Sequence, residues 1–318
     1  MHRERTNREW RLARLAPLAE RQERVMSRAQ LGAVGWTAHQ IAHEIDSGRW
    51  QLAAPNVITL QNAPLVYGQR LWVGLLHAGP GSALTHLSAC RSAGLRWKES
   101  EVVEAITPKG HLVSPIDGFF FHQTRRPYRQ WVRTDASGLA VVSVDFAVLL
   151  AAERDHQLRR AIGLIAASVQ QRLTTANRLL VASRQIRKLR HGHLFRAALG
   201  DIAGGAQSFA EIDIGRLCRE AGLVEPTRQR LREDRQGRKR YLDCEWVLVD
   251  GRIIVLEVDG SFHMETEHWW RDMGRERQVV ISGRCVLRCS SVEIRVSPGD
   301  ILLDLAAAGV PRAGRRAA

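Results

Sequence analysis

The chain has 318 residues, 45% of them hydrophobic, and carries a formal net charge of +14 with a sequence pI near 10.7. This length predicts two or three domains with apolar cores. The positive charge favours an anionic partner such as nucleic acid, although an Arg-rich proteome would give the same balance. No apolar run is long enough to span a membrane, and no secretory segment is evident. Five scattered cysteines without zinc-finger spacing fit a reducing cytoplasm.

The first 64 residues predict a basic arm followed by a winged helix-turn-helix. The arm, residues 1–24, is expected to be partly helical. Helices are expected over residues 28–34 and 38–47, capped by Ser27 and Thr37 and followed by two short strands. The second helix would enter a DNA major groove, unless the domain serves only protein contacts. Its expected inward residues are Ile41, Ala42 and Ile45. Its expected outward residues, with Arg49 at the wing, are Thr37, His39, Gln40, His43 and Glu44.

Two short motifs resemble AbiEi-type antitoxins. The motif SGRW (residues 47–50) follows the second helix, and ALTHLSA (residues 83–89) lies in the next segment. The resemblance implies a DNA-binding N-terminal domain, an α+β middle region with a helical linker over residues 65–192, and a cognate toxin as partner. Within that region we expect a helix over residues 82–95, strands over 102–107 and 119–123, and two or three helices over 144–190. His86 is expected to be structural, because the sequence suggests no partner for it.

The stretch YLDCEWVLVDGRIIVLEVDGSFH (residues 241–263) predicts a β-hairpin that carries acids. Asp250 and Gly251 form a two-residue type I′ turn signal. The second strand, residues 252–258, is almost continuously apolar, which is typical of a strand buried on both faces. Asp243, Glu257 and Asp259 would then meet at one edge of the sheet. Because clustered carboxylates repel one another, we expect Mg²⁺ or Mn²⁺ to neutralise them.

Basic and helical segments flank this hairpin. Residues 227–240 predict a further hairpin with its turn at residues 236–237. The basic side chains of this hairpin would hold phosphates. A helix is expected over residues 264–282, a strand over 284–289 and a last helix over 300–308. Glu211 either forms a capping box with Ser208 or adds a fourth acid to the cluster. The expected phosphate-binding residues are Arg228, Arg235, Arg238, Lys239, Arg240 and, from the later helix, Arg275.

A C-terminal domain is expected over residues 193–318. From Ser208 its element order is helix, strand, strand, strand, helix, strand, which over about residues 208–305 resembles the PD-(D/E)XK restriction-endonuclease-like superfamily, and within it the very-short-patch-repair (Vsr)-like group. The matching motifs are Glu211, Asp243, the EVDG of residues 257–260, His263 and the GRCVLR of residues 283–288. This element order, together with the expected N-terminal and middle regions, predicts a mixed α/β fold of the α+β type.

The resemblance implies a metal-dependent DNA endonuclease. Asp243 and Glu257 would bind the metal with Asp259 or Glu211, and His263 would act as general acid and base. Arg275, or the basic run at residues 238–240, would stabilise charge on the phosphate. Asp259 occupies the position of the superfamily's lysine. The alternative is therefore an antitoxin-like repressor with a catalytically degenerate domain, and an RNA substrate also stays open.

Overall fold

The computed structural model describes residues 2–97, 100–203, 213–233, 239–259, 278–281 and 284–313. Over these residues the chain is mixed α/β and contains three β-sheets. It divides into two compact units, residues 1–151 and 152–318. The boundaries expected after residues 64 and 192 stay predictions. No helix within the described ranges is both long and apolar enough to cross a membrane.

The first unit begins with three helices and a small antiparallel sheet in the order β1-β3-β2. The expected arm forms a full helix, and the two expected helices and the strand pair after them are confirmed. The elements are α1 (His2–Arg21), β1 (Val25–Ser27), α2 (Arg28–Ala33), α3 (Ala38–Asp46), β2 (Gln51–Ala54) and β3 (Val57–Thr59).

Capping and apolar packing explain these elements. Ser27 and Thr37 begin α2 and α3 with capping boxes, in which each hydroxyl accepts from the backbone amide three residues later. Trp36 and Trp50 lie on either side of α3, and their ring centroids are 4.6 Å apart. With Leu15 of α1 they form part of a buried core, so α1 is bound to the rest of this region by packing.

A second sheet fills the remainder of the first unit, with strand order β6-β5-β4-β8-β7. The two expected strands are confirmed as β5 and β6. The helix expected over residues 82–95 begins only at His86, because residues 83 and 84 pair with β5 as a strand. The elements are α4 (Tyr67–Ala78), β4 (Ala83–Leu84), α5 (His86–Ser92), β5 (Val103–Pro108), β6 (Phe119–Thr124), a 3₁₀ turn (Tyr128–Trp131), β7 (Val132–Thr134) and β8 (Ala140–Val142).

Helices lead into a third sheet in the second unit. Three helices over residues 144–190 confirm the expectation for that stretch. These are α6 (Val144–Arg154), which spans the division between the units, α7 (Leu158–Gln170) and α8 (Ala176–Gln185). The elements that follow are α9 (Gly192–Ile202), α10 (Ile214–Glu220), β9 (Arg228–Glu233), β10 (Lys239–Val247), β11 (Ile253–Asp259), β12 (Gln278–Ile281), β13 (Arg284–Ser290), α11 (Ser291–Val296) and α12 (Pro298–Ala308).

The third sheet has the order β12-β13-β11-β10-β9, so the acidic strand β11 is central. It pairs antiparallel with β10 and parallel with β13. Alternate residues of these strands, including Trp246, Leu256 and Leu287, are buried in a core shared with α10 and α12. Val255, on the other parity, is also only 7% exposed, in keeping with the expected burial of β11 on both faces.

The turn between β10 and β11 differs from the type I′ expectation. Leu248 N donates to Arg252 O at 2.9 Å, and Gly251 N donates to Leu248 O at 3.0 Å. The loop therefore contains three residues, 249–251, and only Gly251 has a positive φ, +83°. This is a type I turn followed by a left-handed glycine. The Asp250 carboxylate stabilises it by accepting from Arg252 N at 3.0 Å.

The prediction of a helix over residues 264–282 is wrong for the C-terminal end of that range. Residues 278–281 form β12, which pairs antiparallel with β13. The β-branched run Val279, Val280 and Ile281 favours this strand. Residues 264–277 lie outside the described residues. The strand expected at residues 284–289 and the final helix are both confirmed.

Candidate functional site

A row of charged positions crosses the third sheet. Asp243 of β10 lies directly opposite Glu257 of β11, and the same row continues to Arg230 of β9 and Arg288 of β13. Directly opposed positions in an antiparallel pair have Cβ atoms about 4.5–5.5 Å apart. The register therefore brings two acidic positions together at the centre of the sheet, with an arginine position on either side.

Asp259 extends the same acidic face. It lies two residues after Glu257 on β11, so the two positions share a face of the strand. Its cross-strand neighbours are Tyr241 of β10 and Ser290 of β13. The three acidic positions expected to meet thus lie on one face of two adjacent strands, and the buried core forms on the opposite face.

The carboxylate of Glu257 forms an ion pair. Arg288 Nε donates to Glu257 Oε2 at 2.9 Å, and the side chains are 68% and 37% exposed respectively. Arg288 belongs to β13, which lies on the side of β11 away from β10. A pair this exposed contributes roughly 0–1 kcal/mol, because solvent screens it. It nevertheless balances the charge of one of the two acidic positions.

The other expected site residues divide into two groups. Strand positions are established for Asp243, Asp259, Arg228, Lys239 and Arg240. The two interpretations of Glu211 stay open. The expected residues outside the described ranges are Glu211, Arg235, Arg238, His263 and Arg275, together with the proposed cap Ser208.

On α3, two of the expected DNA-contacting residues stabilise the helix start. Thr37 Oγ1 accepts from Gln40 N at 3.3 Å, and Gln40 Oε1 accepts from Thr37 N at 3.1 Å. Gln40 Oε1 also accepts from Arg11 Nη1 of α1 at 2.7 Å. The oxygens of both side chains therefore already accept intramolecular hydrogen bonds.

Two orientations expected on α3 are wrong. Ala42 is exposed, whereas Glu44 is only 2% exposed. Glu44 accepts from Arg8 Nε at 2.8 Å and from Arg49 Nε at 2.6 Å. Burial alone would raise the pKa of Glu44, but the two guanidinium groups outweigh it and lower that pKa to about 2. Arg49, expected at the wing as a DNA-binding residue, is therefore held by an internal carboxylate.

A group that could hold a metal ion lies in the second sheet of the first unit. His86, Glu104 and His122 each offer one ligand atom, and these atoms all lie within 4.8 Å of one another. His122 Nε2 is 3.1 Å from Glu104 Oε1. The rings of His86 and His122 are stacked, with centroids 3.8 Å apart and planes 12° apart. The two histidines are buried, at 5% and 8% exposure.

Strand pairing explains how this group assembles. Glu104 of β5 and His122 of β6 are diagonal neighbours in a parallel pair, because His122 lies opposite Ile106. Thr85 N donates to Glu104 O at 3.0 Å, which brings the start of α5 beside β5. Leu87 N then donates to Glu104 Oε2 at 2.9 Å and fixes the carboxylate. His86 itself has a φ of +50°, an uncommon conformation for a residue with a side chain.

The sequence interpretation missed this group. His86 was expected to have no partner, but Glu104 and His122 are its neighbours. Each interrupts a strand that is otherwise mainly apolar, VEAITP for β5 and FFFHQT for β6. A single ionisable residue within such a strand is a usable signal. The pairing of β4, β5 and β6, which brings the three together, could not be read from the sequence.

No family model matches this chain, and no curated protein matches it. The resemblances to AbiEi-type antitoxins and to PD-(D/E)XK nucleases therefore stay expectations from short motifs.

Proposed function

We propose that the chain is a divalent-metal-dependent DNA endonuclease whose N-terminal region binds DNA as a winged helix-turn-helix. The observation that carries the proposal is the register that sets Asp243 opposite Glu257. Two carboxylates at adjacent positions repel each other, and a hard cation with oxygen ligands relieves that repulsion. Mg²⁺, or Mn²⁺ in its place, would be bound by these two residues with Asp259 or Glu211 completing the site.

Each residue then has a defined part in phosphodiester hydrolysis. The metal supplies Lewis-acid polarisation of the scissile phosphate and lowers the pKa of its water. Asp243 and Glu257 would hold the metal, while Arg288 Nε donates to Oε2 of Glu257. His263 transfers a proton to or from the water or the leaving oxygen. Arg275, or the basic run at residues 238–240, stabilises charge on the phosphate.

Charge supports an anionic substrate. The chain carries a net charge of +14. Arginine positions 228, 230 and 232 of β9 lie in register with positions 245, 243 and 241 of β10, directly beside the acidic row. Without such arginines, the acids alone would repel a polyanion. DNA is preferred to RNA because the element order helix, strand, helix, helix and two strands in the first 59 residues favours a DNA-binding winged helix.

A cleavage assay on supercoiled plasmid tests this function. With Mg²⁺, the wild-type chain should nick or linearise the plasmid, and Asp243→Asn should not. Asp250→Asn is the matched control, because Asp250 lies in the exposed turn, three residues beyond Val247, where the same ladder of pairs ends. Intact plasmid with the wild type at high protein concentration would refute the proposal. Equal cleavage by wild type and Asp243→Asn would refute the assignment of the site.

The ion pair between Arg288 and Glu257 favours a second candidate, a protein that binds DNA without cutting it. The guanidinium group supplies the positive charge that a metal would otherwise provide. In this case the chain would act as an AbiEi-like antitoxin and transcriptional repressor with a degenerate nuclease-like domain. A gel shift on its own promoter, without cleavage in Mg²⁺, would support this candidate. A toxin gene beside its own gene would support it further.

A further inference from the structure

We propose that His86, Glu104 and His122 bind a zinc ion, with the fourth coordination position left to water or to an added ligand. This site lies in the first unit and does not depend on the acidic row of the third sheet. Two imidazole nitrogens and one carboxylate oxygen form a ligand set that zinc uses when it keeps an open position. Imidazole ligands favour zinc and its transition-metal neighbours over Mg²⁺ and Ca²⁺, which take oxygen ligands.

The spacing of the ligand atoms fits a tetrahedral ion. With metal–ligand bonds of about 2.0–2.1 Å, two ligands of a tetrahedral zinc ion are about 3.4 Å apart. The 3.1 Å between His122 Nε2 and Glu104 Oε1 is close to that separation. Zinc would thus take the place of a hydrogen bond between these two atoms, at a similar separation. The third ligand atom, from His86, is within 4.8 Å of both.

Neighbouring groups already orient two of the ligands. Leu87 N donates to Glu104 Oε2, which leaves Oε1 directed to the histidine. His86 Nδ1 is 3.1 Å from Thr85 Oγ1. Histidines that bind metals usually hydrogen-bond through their second nitrogen, so we assign Nε2 of His86 as its ligand atom. The stacked rings lie in nearly parallel planes, and one imidazole has to turn about its Cβ–Cγ bond for both lone pairs to converge.

The Glu104 side chain is 16% exposed, which gives an ion a short path to the ligands. The competing explanation is a plain hydrogen-bonded pair of Glu104 and His122 with a stacked histidine.

Zinc binding by the full-length chain separates these explanations. The purified protein would be stripped with EDTA, dialysed, and titrated with Zn²⁺ against a chromophoric chelator. We expect one equivalent of tightly bound zinc, and at least about 100-fold weaker binding in His86→Gln and His122→Gln, since even a supporting residue costs about 10–100-fold. His39→Gln, which alters an exposed histidine of α3, should bind zinc as the wild type does.

Spectroscopy keeps the proposal testable if a variant misfolds. Co²⁺ added to the stripped wild type should give the visible absorption of a tetrahedral ion. X-ray absorption of the zinc form should show two imidazoles and one carboxylate. No bound equivalent, unchanged affinity in both folded histidine variants, or a coordination shell containing sulfur would each overturn the proposal.

Discussion

Glu44 offers a quantitative test of the first unit. Its carboxylate is 2% exposed and accepts from Arg8 and Arg49, and its pKa is lowered to about 2 from the ordinary value of 4.5. Since a pKa difference of one unit is worth about 1.36 kcal/mol, this lowering of the pKa corresponds to at most about 3.4 kcal/mol of stability. The two arginines are 36% and 44% exposed, so solvent screening reduces the expected effect of Glu44→Gln to about 2 kcal/mol.

The sign of the pH dependence follows from the lowered pKa. The folded state binds the proton of Glu44 more weakly than the unfolded state does. The stabilisation is therefore complete above the unfolded pKa of about 4.5, and it is lost as the pH falls through the folded pKa of about 2. The difference between wild type and Glu44→Gln should accordingly shrink to less than half of its neutral-pH value near pH 3.

Hydrogen exchange measured by mass spectrometry reports how much Glu44 contributes to local stability within the full-length chain. Peptides covering residues 38–46 report the opening free energy of α3, which should fall by about 2 kcal/mol in Glu44→Gln at pH 7. Glu20→Gln is the control, because Glu20 is an exposed glutamate of α1. The reasoning is refuted if Glu44→Gln exchanges like the wild type at pH 7. A difference that stays constant between pH 7 and pH 3 would refute the ionic explanation.

Four further substitutions test other parts of the structure. Gly74→Ala should lower the melting temperature, with about 1–2 kcal/mol lost, because a Cβ there would lie 3.0 Å from a Val103 methyl group. Gly32→Ala, with open space around the new methyl group, should gain about 0.5–1 kcal/mol of stability. Equal shifts in the melting temperatures of these two variants would contradict the packing argument. Gly251→Ala should cost about 1 kcal/mol in a denaturant titration, since φ is +83° there; no loss would refute the turn assignment. Arg288→Met should lower the Mg²⁺ concentration for half-maximal cleavage, and an unchanged value would show that the ion pair does not compete with the metal.

Local signals in the sequence predicted the elements well. Ser27 and Thr37 identified two helix starts, and both have capping boxes in the structure. Runs of apolar residues located β10, β11 and β13 to within a few residues. These features depend on residues close together in the chain, so the sequence carries them directly.

The predictions from the sequence failed where residues far apart in the chain determine the local structure. Glu44 was expected to face outward because a charged residue on a short helix usually does. Its burial depends on Arg8, 36 residues away on α1. Residues 83 and 84 fit a helical pattern, but pairing with β5 makes them a strand. His86 lacked a partner in the sequence because Glu104 and His122 reach it only through the second sheet.

The position of β11 between β10 and β13 has a consequence during synthesis. When the hairpin of β10 and β11 has just left the ribosome, Arg284–Ser290 is still inside the exit tunnel, and one side of the apolar strand has no hydrogen-bonding neighbour. Such an unpaired strand edge readily associates with other chains. Nascent chains stalled with the hairpin outside the tunnel and Arg284–Ser290 inside it should therefore aggregate or recruit chaperones, and release of the chain should end this.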